Sequence, residues 1–229
     1  RHPRELDGAD LNRFLTHLAE EGRVAVSTQN QAKSAILFLY RHVLKMDLEW
    51  LDDVVRARQP RRLPTVLTRD EVTAVISRLE GTVQLVVLLL YGTGMRILEC
   101  LRLRVQDVDF DLGYITIRRP KGGRDRVTML PDAVRDRLQE HLLHVREIHE
   151  RDVADGFGSV YLPDALERKY PHADRDWKWQ YVFPASKRGV DPRTGTVRRH
   201  HLHESVVRKA IYAAARTARI DKKVSCHTF

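Results

Sequence analysis

Midway along the chain the hydrophobic period changes from about 3.6 residues to 2 and then back, so helices must flank a short run of strands. Leu11, Phe14, Leu15 and Leu18 fall at i, i+3, i+4 and i+7, one apolar face of a helix ending near Gly22. A second helix is expected from Ser27 and Thr28, with Gln31 completing a capping box and Ala32, Ala35 or Ile36, Leu39 and Val43 facing inward. Thr68 and Glu71 form another capping box, opening a helix to about Leu79. A buried helix follows from Val83 to Tyr91, Gly92, Thr93 and Gly94 break it, and a further helix carries Met95 to Leu103. The period then becomes 2: residues 114–118 and 126–130 read as strands, joined by a turn over 120–125. Helical spacing returns after Pro131 and Asp132, with Val134, Leu138, Leu142, Val145 and Ile148 on one face. Residues 152–179 look irregular apart from a short helix over 163–170 with Pro163 at its start, and a last helix spans Glu204 to Ala218. The expected fold class is mainly α with a small antiparallel β-sheet (α+β).

At about 150 residues per domain, a chain of 229 residues makes one large domain or two small ones. The stretch Arg56 to Pro64, with two prolines and four arginines and no apolar period, reads as a linker and marks the boundary. Its basic composition, Arg61 and Arg62 included, suits a strap across phosphates as well as a merely soluble connector. Lys33 shares the outer face of the second helix with Gln29, Asn30 and Arg41, a face that is either solvated or in contact with DNA. Forty Lys and Arg against 31 Asp and Glu leave a net charge of +9, which favours a polyanionic partner. No apolar run approaches the roughly 18 residues of a membrane span, and the N-terminus carries no signal-peptide pattern. Two cysteines, Cys100 and Cys226, do not staple a chain of this size and fit a reducing cytosol.

Several chemistries are set aside. There is no Gly-x-Ser-x-Gly elbow and no Walker-type phosphate loop. His200 and His203 stand at i and i+3, but no nearby carboxylate or cysteine completes a tetrahedral set, so no metal site is expected. What remains is a set of cations at structural break-points. Arg96 follows the Gly-Thr-Gly turn, where its guanidinium can reach a phosphate, and Glu99 one turn later can hold it in place. Lys121 sits at a hairpin tip, an exposed place for a proton donor, and His227 follows Ser225 and Cys226. Singly, each also reads as an ordinary surface residue.

Together these residues fall into three ordered boxes. Tyr91-Gly-Thr-Gly-Met-Arg96-Ile-Leu-Glu99, continued to Asp107-Val-Asp109, resembles the first arginine box of tyrosine recombinases of the phage integrase family. Lys121-Gly-Gly-Arg-Asp-Arg126, followed by Leu130-Pro131, resembles that family's lysine hairpin, and Cys226-His227-Thr228-Phe229 the start of its His-x-x-Arg box. Within the family the resemblance is to integron integrases. It rests on an insertion at about residues 152–180, with Leu162 to Pro171, and continues as Trp177-x-Trp179-Gln-Tyr-Val-Phe-Pro184, then Asp191 to Gly195 and Val197-Arg-Arg-His-His201.

The resemblance implies a partial helical, SAM-like core-binding domain over 1–59 and a catalytic domain over 60–229. It implies site-specific recombination that integrates and excises gene cassettes by DNA strand cleavage and rejoining, without metal or other cofactor. A tyrosine oxygen attacks the phosphorus, a 3′-phosphotyrosine forms and a 5′-hydroxyl leaves; a partner strand's hydroxyl reverses the step. Arg96 would stabilise the charge gathering on the phosphate, Lys121 would protonate the leaving oxygen, and His227 would assist proton transfer or phosphate contact. The implied partner is DNA, both a duplex integration site and a cassette site folded from a single strand, bound by a homotetramer in a bacterial cytoplasm away from any membrane. Extrahelical bases in the folded site would stack on Trp177, Trp179, His200 or His201, flanked by Arg198 and Arg199. The alternative is that both tryptophans belong to the core and the two histidines merely support a turn.

The His-x-x-Arg box breaks off at Phe229, one residue before its arginine, and none of the seven tyrosines occupies the nucleophile's place. The expectation is therefore a fragment truncated at both ends that lacks the nucleophile and is inactive as it stands. Two alternatives remain open: a phage or chromosome-dimer type recombinase acting on duplex sites, and a non-catalytic DNA-binding protein.

Overall fold

The computed structural model describes residues 2–46, 65–118, 123–162 and 166–229, the Arg168 side chain excepted. The chain divides into two compact units, Arg1–Leu63 and Pro64–Phe229. The basic linker arginines, Arg61 and Arg62 among them, and Lys121 lie outside the described residues.

In the first unit α1 (Gly8–Glu20) begins on a capping box: Asp7 accepts the N–H of Asp10 at 2.9 Å, and the Asp10 carboxylate accepts that of Asp7 at 3.5 Å. Leu11 and Leu15 are buried, whereas Phe14 is exposed. α2 (Val26–Phe38) continues into a π-helical turn over Leu39–Leu44 that ends at Lys45, in the left-handed region with φ 52°. The expected cap at Thr28 is not formed, because the helix starts earlier, after Ala25. The expected inward face is also displaced: Val43 is 60% exposed, while Tyr40 and Lys33 are buried. Tyr40 is the cause. Its hydroxyl donates to the Pro3 carbonyl, and burying so large a ring sets the rotation of the helix. Lys33, two turns earlier on the same side, is carried inward with it instead of facing out. Gln29 Nε2 donates to the Leu15 carbonyl at 3.1 Å and joins the two helices.

The second unit opens with the expected box at Thr68, whose N–H donates to Glu71 Oε2 at 2.7 Å while its Oγ1 accepts the Glu71 N–H at 3.2 Å. It caps α3 (Arg69–Ile76). α4 (Gly81–Thr93) is apolar nearly all round and buries Leu85, Val86, Val87, Leu89 and Leu90, as an interior helix must. It runs to Thr93, past the first glycine, and ends where Gly94 takes φ +64° and donates to the Leu90 carbonyl at 2.9 Å. Gly92 lets the helix end approach Pro131: a Cβ there would stand 2.6 Å from the proline ring. α5 (Ile97–Leu101) follows at once.

The sheet has order β1-β2-β3 and is antiparallel throughout: β1 (Val108–Asp109), β2 (Tyr114–Ile117) and β3 (Arg126–Met129), in the register Val108↔Ile115 and Ile117↔Arg126. β2 and β3 match the period-2 segments; β1 is too short to show a period. Ile115 and Ile117 point into the core, which α6 (Asp132–Ala154) covers with Val134, Leu138, Leu142 and Val145. α8 (Glu204–Thr217) closes it with Val207, Ile211, Ala214 and Ala215.

Residues 157–162 and 166–201 are more ordered than their composition promises. A second small core of Val160, Leu162, Ala173 and Tyr181 is packed by Leu166 of α7 (Leu166–Lys169) and by Trp179. Two 3₁₀ turns, Ala173–Arg175 and Trp177–Trp179, carry the chain past it, and β4 (Gly189–Val190) pairs antiparallel with β5 (Val197–Arg198). Among the described residues no helix is long and apolar enough to cross a membrane.

Candidate active site

The Gly94 turn delivers Arg96 to the N-cap of α5, and Glu99 stands three residues on. The Glu99 carboxylate receives four bonds. Oε1 accepts from Arg96 Nη1 at 2.8 Å and Arg126 Nη1 at 3.3 Å; Oε2 accepts from the Arg96 N–H at 3.0 Å and Arg126 Nη2 at 2.7 Å. The exposures grade outward: Glu99 8%, Arg126 37% and Arg96 50% of their side chains. Burial alone would raise the Glu99 pKa, but hydrogen bonds from Arg126 and Arg96 outweigh it and hold the carboxyl at about 2. The cluster is therefore one carboxylate between two guanidiniums, with a net positive charge and Arg96 outermost.

His227 is exposed, on a turn whose backbone is held by Ser225 and Thr228: Ser225 N–H donates to Thr228 Oγ1 at 2.9 Å, and His227 N–H to Ser225 Oγ at 3.3 Å. Its neighbour Cys226 is buried in the same core as Ile97, so Arg96 and His227 rise from segments anchored in one core.

A second constellation forms around Tyr181. The Arg104 guanidinium lies 3.6 Å from the centre of the Tyr181 ring and donates to the carbonyls of Trp179 and Tyr161, each at 2.7 Å. On Tyr181 also rest His200, at 5.5 Å, and His201, edge-on at 5.4 Å, with the two imidazoles 4.1 Å apart. His200 is exposed; His201 is buried and its Nδ1 donates to the Leu202 carbonyl at 2.8 Å. Burial pushes the His201 pKa down to about 4, helped by the charges of Arg102 and Arg104, and pushes His200 down as well. Both rings are neutral at neutral pH.

Arg198 and Arg199 do not flank this stack as free cations, which corrects the expectation that they face DNA. Arg198 is buried and donates to Glu167 at 2.9 Å. Arg199 grips Asp152 through two bonds of 2.5 and 2.8 Å and donates to the Ala185 carbonyl at 2.8 Å. Asp152 is buried at the end of α6 and needs this partner; Arg188 adds a second charge at 3.5 Å. Trp177 and Trp179 pack on core residues. Both are half-buried, Trp177 against the main core beside His149 and Trp179 against the second core. His203 caps α8, accepting the Ser205 N–H at 3.2 Å.

Four partners lie beyond the residues singled out from sequence: Arg126, Asp152, Arg104 and Tyr181. Two had a signal. Asp152 stands seven residues after Val145 on the apolar stripe of α6, and strand alternation puts Arg126 on the inward face opposite Ile117. A charge on an apolar face calls for a buried counter-charge.

The sequence pattern of the phage integrase family matches residues 65–229, and that of the phage integrase N-terminal SAM-like domain matches residues 1–50. The chain belongs to the phage integrase family, the tyrosine recombinases, whose members are enzymes that cleave and rejoin DNA strands. More particularly, it is similar to an integrase/recombinase of Escherichia coli and to one of Pseudomonas aeruginosa, each 47% identical over 228 residues, spanning 100% of this chain and 68% of the relative. The fold is similar to that of the XerH site-specific recombinase bound to difH substrate in a pre-cleavage complex, with a TM-score of 0.56 and 20% identity over 98% of this chain and 57% of that one. The activity at this level is site-specific recombination on DNA.

Proposed function

We propose that the unit carrying Arg96 binds a scissile DNA phosphate there, within a gene-cassette recombinase to which residues 1–59 contribute a partial core-binding domain and residues 60–229 the catalytic domain. As a tyrosine oxygen adds to phosphorus, negative charge collects on the non-bridging oxygens, and a fixed guanidinium meets it without reorganising. Lys121 donates the proton that lets the 5′-oxygen leave, and His227 supports proton transfer. Neither a metal nor another cofactor enters this chemistry. The observation that carries the phosphate role is the clamp: a buried carboxylate, ionised at neutral pH, fixes Arg96 while a second arginine keeps the cluster cationic.

The cassette reading rests on the exposed His200 ring, backed by His201 and Tyr181. A neutral imidazole on an aromatic base is a surface for stacking on a nucleobase; a phosphate would call for a charged one. It suits the extrahelical base of a folded single-stranded site, engaged by a tetramer. Incubating the intact protein with a nicked suicide substrate tests the chemistry: a covalent protein–DNA adduct forms, and peptide mapping identifies the attacking tyrosine. Absence of any adduct sinks the phosphate role. Comparing a bulged hairpin with the same sequence fully paired tests the cassette role; stronger binding to the perfect duplex favours the duplex-site alternative.

A further inference from the structure

We propose that Arg126 is a positioning residue for the reaction: by sharing the Glu99 carboxylate with Arg96, it supplies the second positive charge that leaves Arg96 cationic toward DNA. The inference rests on the phosphate role of Arg96 given above. A single Arg96–Glu99 pair would be neutral, and its field at a phosphate would be that of a dipole, falling off faster with distance than that of a charge. With Arg126 bonded to the other side of the same carboxylate, one negative charge is divided between two guanidiniums and the trio keeps a net charge of +1. Among the described residues Arg96 donates only to Glu99, through its N–H and one terminal nitrogen, so the rest of its fork is available to a second partner. The same bond holds the first residue of β3, at a position set by the ladder contact Ile117↔Arg126.

The mechanism has a signature that a structural role lacks. In the intact protein, Arg126→Gln keeps a polar side chain and removes the charge. Cleavage of a suicide substrate should slow by about tenfold or more, less than the roughly 10²–10³ expected for a donor that touches the phosphate itself. DNA affinity should change by less than about threefold, and Arg126→Lys should recover most of the rate. Removing the carboxylate as well restores the charge balance, so Glu99→Gln combined with Arg126→Gln should cleave faster than Arg126→Gln alone. A 5′-bridging phosphorothiolate, whose sulfur leaves without a proton, should not rescue Arg126→Gln, whereas it should rescue Lys121→Ala.

Wild-type cleavage by Arg126→Gln overturns the proposal, and so does rescue by the phosphorothiolate, which would place Arg126 on the lysine's side of the chemistry. If Arg126→Gln does not fold, Arg126→Lys decides: a well-folded protein that cleaves tenfold more slowly contradicts a role carried by charge. Arg96→Ala separates the two claims. If Arg96→Ala cleaves normally, the phosphate role fails; if only Arg126→Gln cleaves normally, this inference fails alone.

Discussion

Glu99 and His201 are both ionisable side chains largely removed from water, and they end in opposite states. At Glu99 the cost of burying a charge is outweighed by four hydrogen bonds from two arginines, and the carboxyl stays ionised down to about pH 2. At His201 the ring's one hydrogen bond among the described residues is to a carbonyl, the nearby arginines oppose protonation, and burial prevails; the pKa falls to about 4. On the proposed function the two regions serve two tasks: one would hold fixed charge for a phosphate, and the other neutral rings for a base. What decides between them is the count and sign of the groups around the buried atom.

That contrast breaks most visibly at Arg96. Arg96→Ala should lower the rate of covalent adduct formation by about 10²–10³ while leaving DNA affinity within a few-fold, measured by single-turnover cleavage and by binding titration. A loss of binding equal to the loss of rate would make Arg96 an anchor with no part in the chemistry. Next comes Arg199, read here as the internal partner of Asp152. Arg199→Ala should destabilise the fold by about 3 kcal/mol, the lower end for a broken buried pair because Arg188 remains beside Asp152. At that size the melting temperature falls by roughly 6–12 °C. A weaker grip on DNA with unchanged stability would return Arg199 to the DNA surface.

His200→Ala should weaken binding to a DNA hairpin with an extrahelical base by about 1–3 kcal/mol, or roughly 5- to 150-fold, and leave a fully paired duplex unaffected. The smallest effect is on pH. His201 binds its proton less readily folded than unfolded, so stability should decline as pH falls from about 6.5 to about 4. The Glu99 contribution is fully present above its ordinary value of 4.5 and is lost only as pH drops toward 2. Thermal melting against pH should show the first decline flattened in His201→Gln and the second retained.

Helices α3, α6 and α8 and the β2–β3 pairing were legible, because each buries one face and so writes its period into the chain; α4 was legible as an unbroken apolar run. The Thr68 box and the placement of Arg96 after a glycine break were legible for the same local reason. The rotation of α2 was not: it depends on Tyr40 reaching Pro3, a contact 37 residues away in sequence. Strands β1, β4 and β5 have two residues each, too few to alternate. Arg198 and Arg199 looked like surface charge because their acidic partners lie 31 and 47 residues distant. The clamp was half visible. Glu99 sits within the helical reach of Arg96, whereas Arg126 arrives from another element and only its strand phase pointed inward.

The division of labour between the clamp and the stack is tested most directly by crossing two variants with two substrates. Arg96→Ala and His200→Ala of the intact protein would each be assayed for binding and cleavage on a bulged hairpin and on its fully paired counterpart. The expected result is a crossed pattern: Arg96→Ala slows cleavage on both DNAs and spares binding, while His200→Ala weakens binding to the bulged DNA alone. Equal losses by both variants on both substrates would contradict it, leaving charge and stacking as one undivided contact surface.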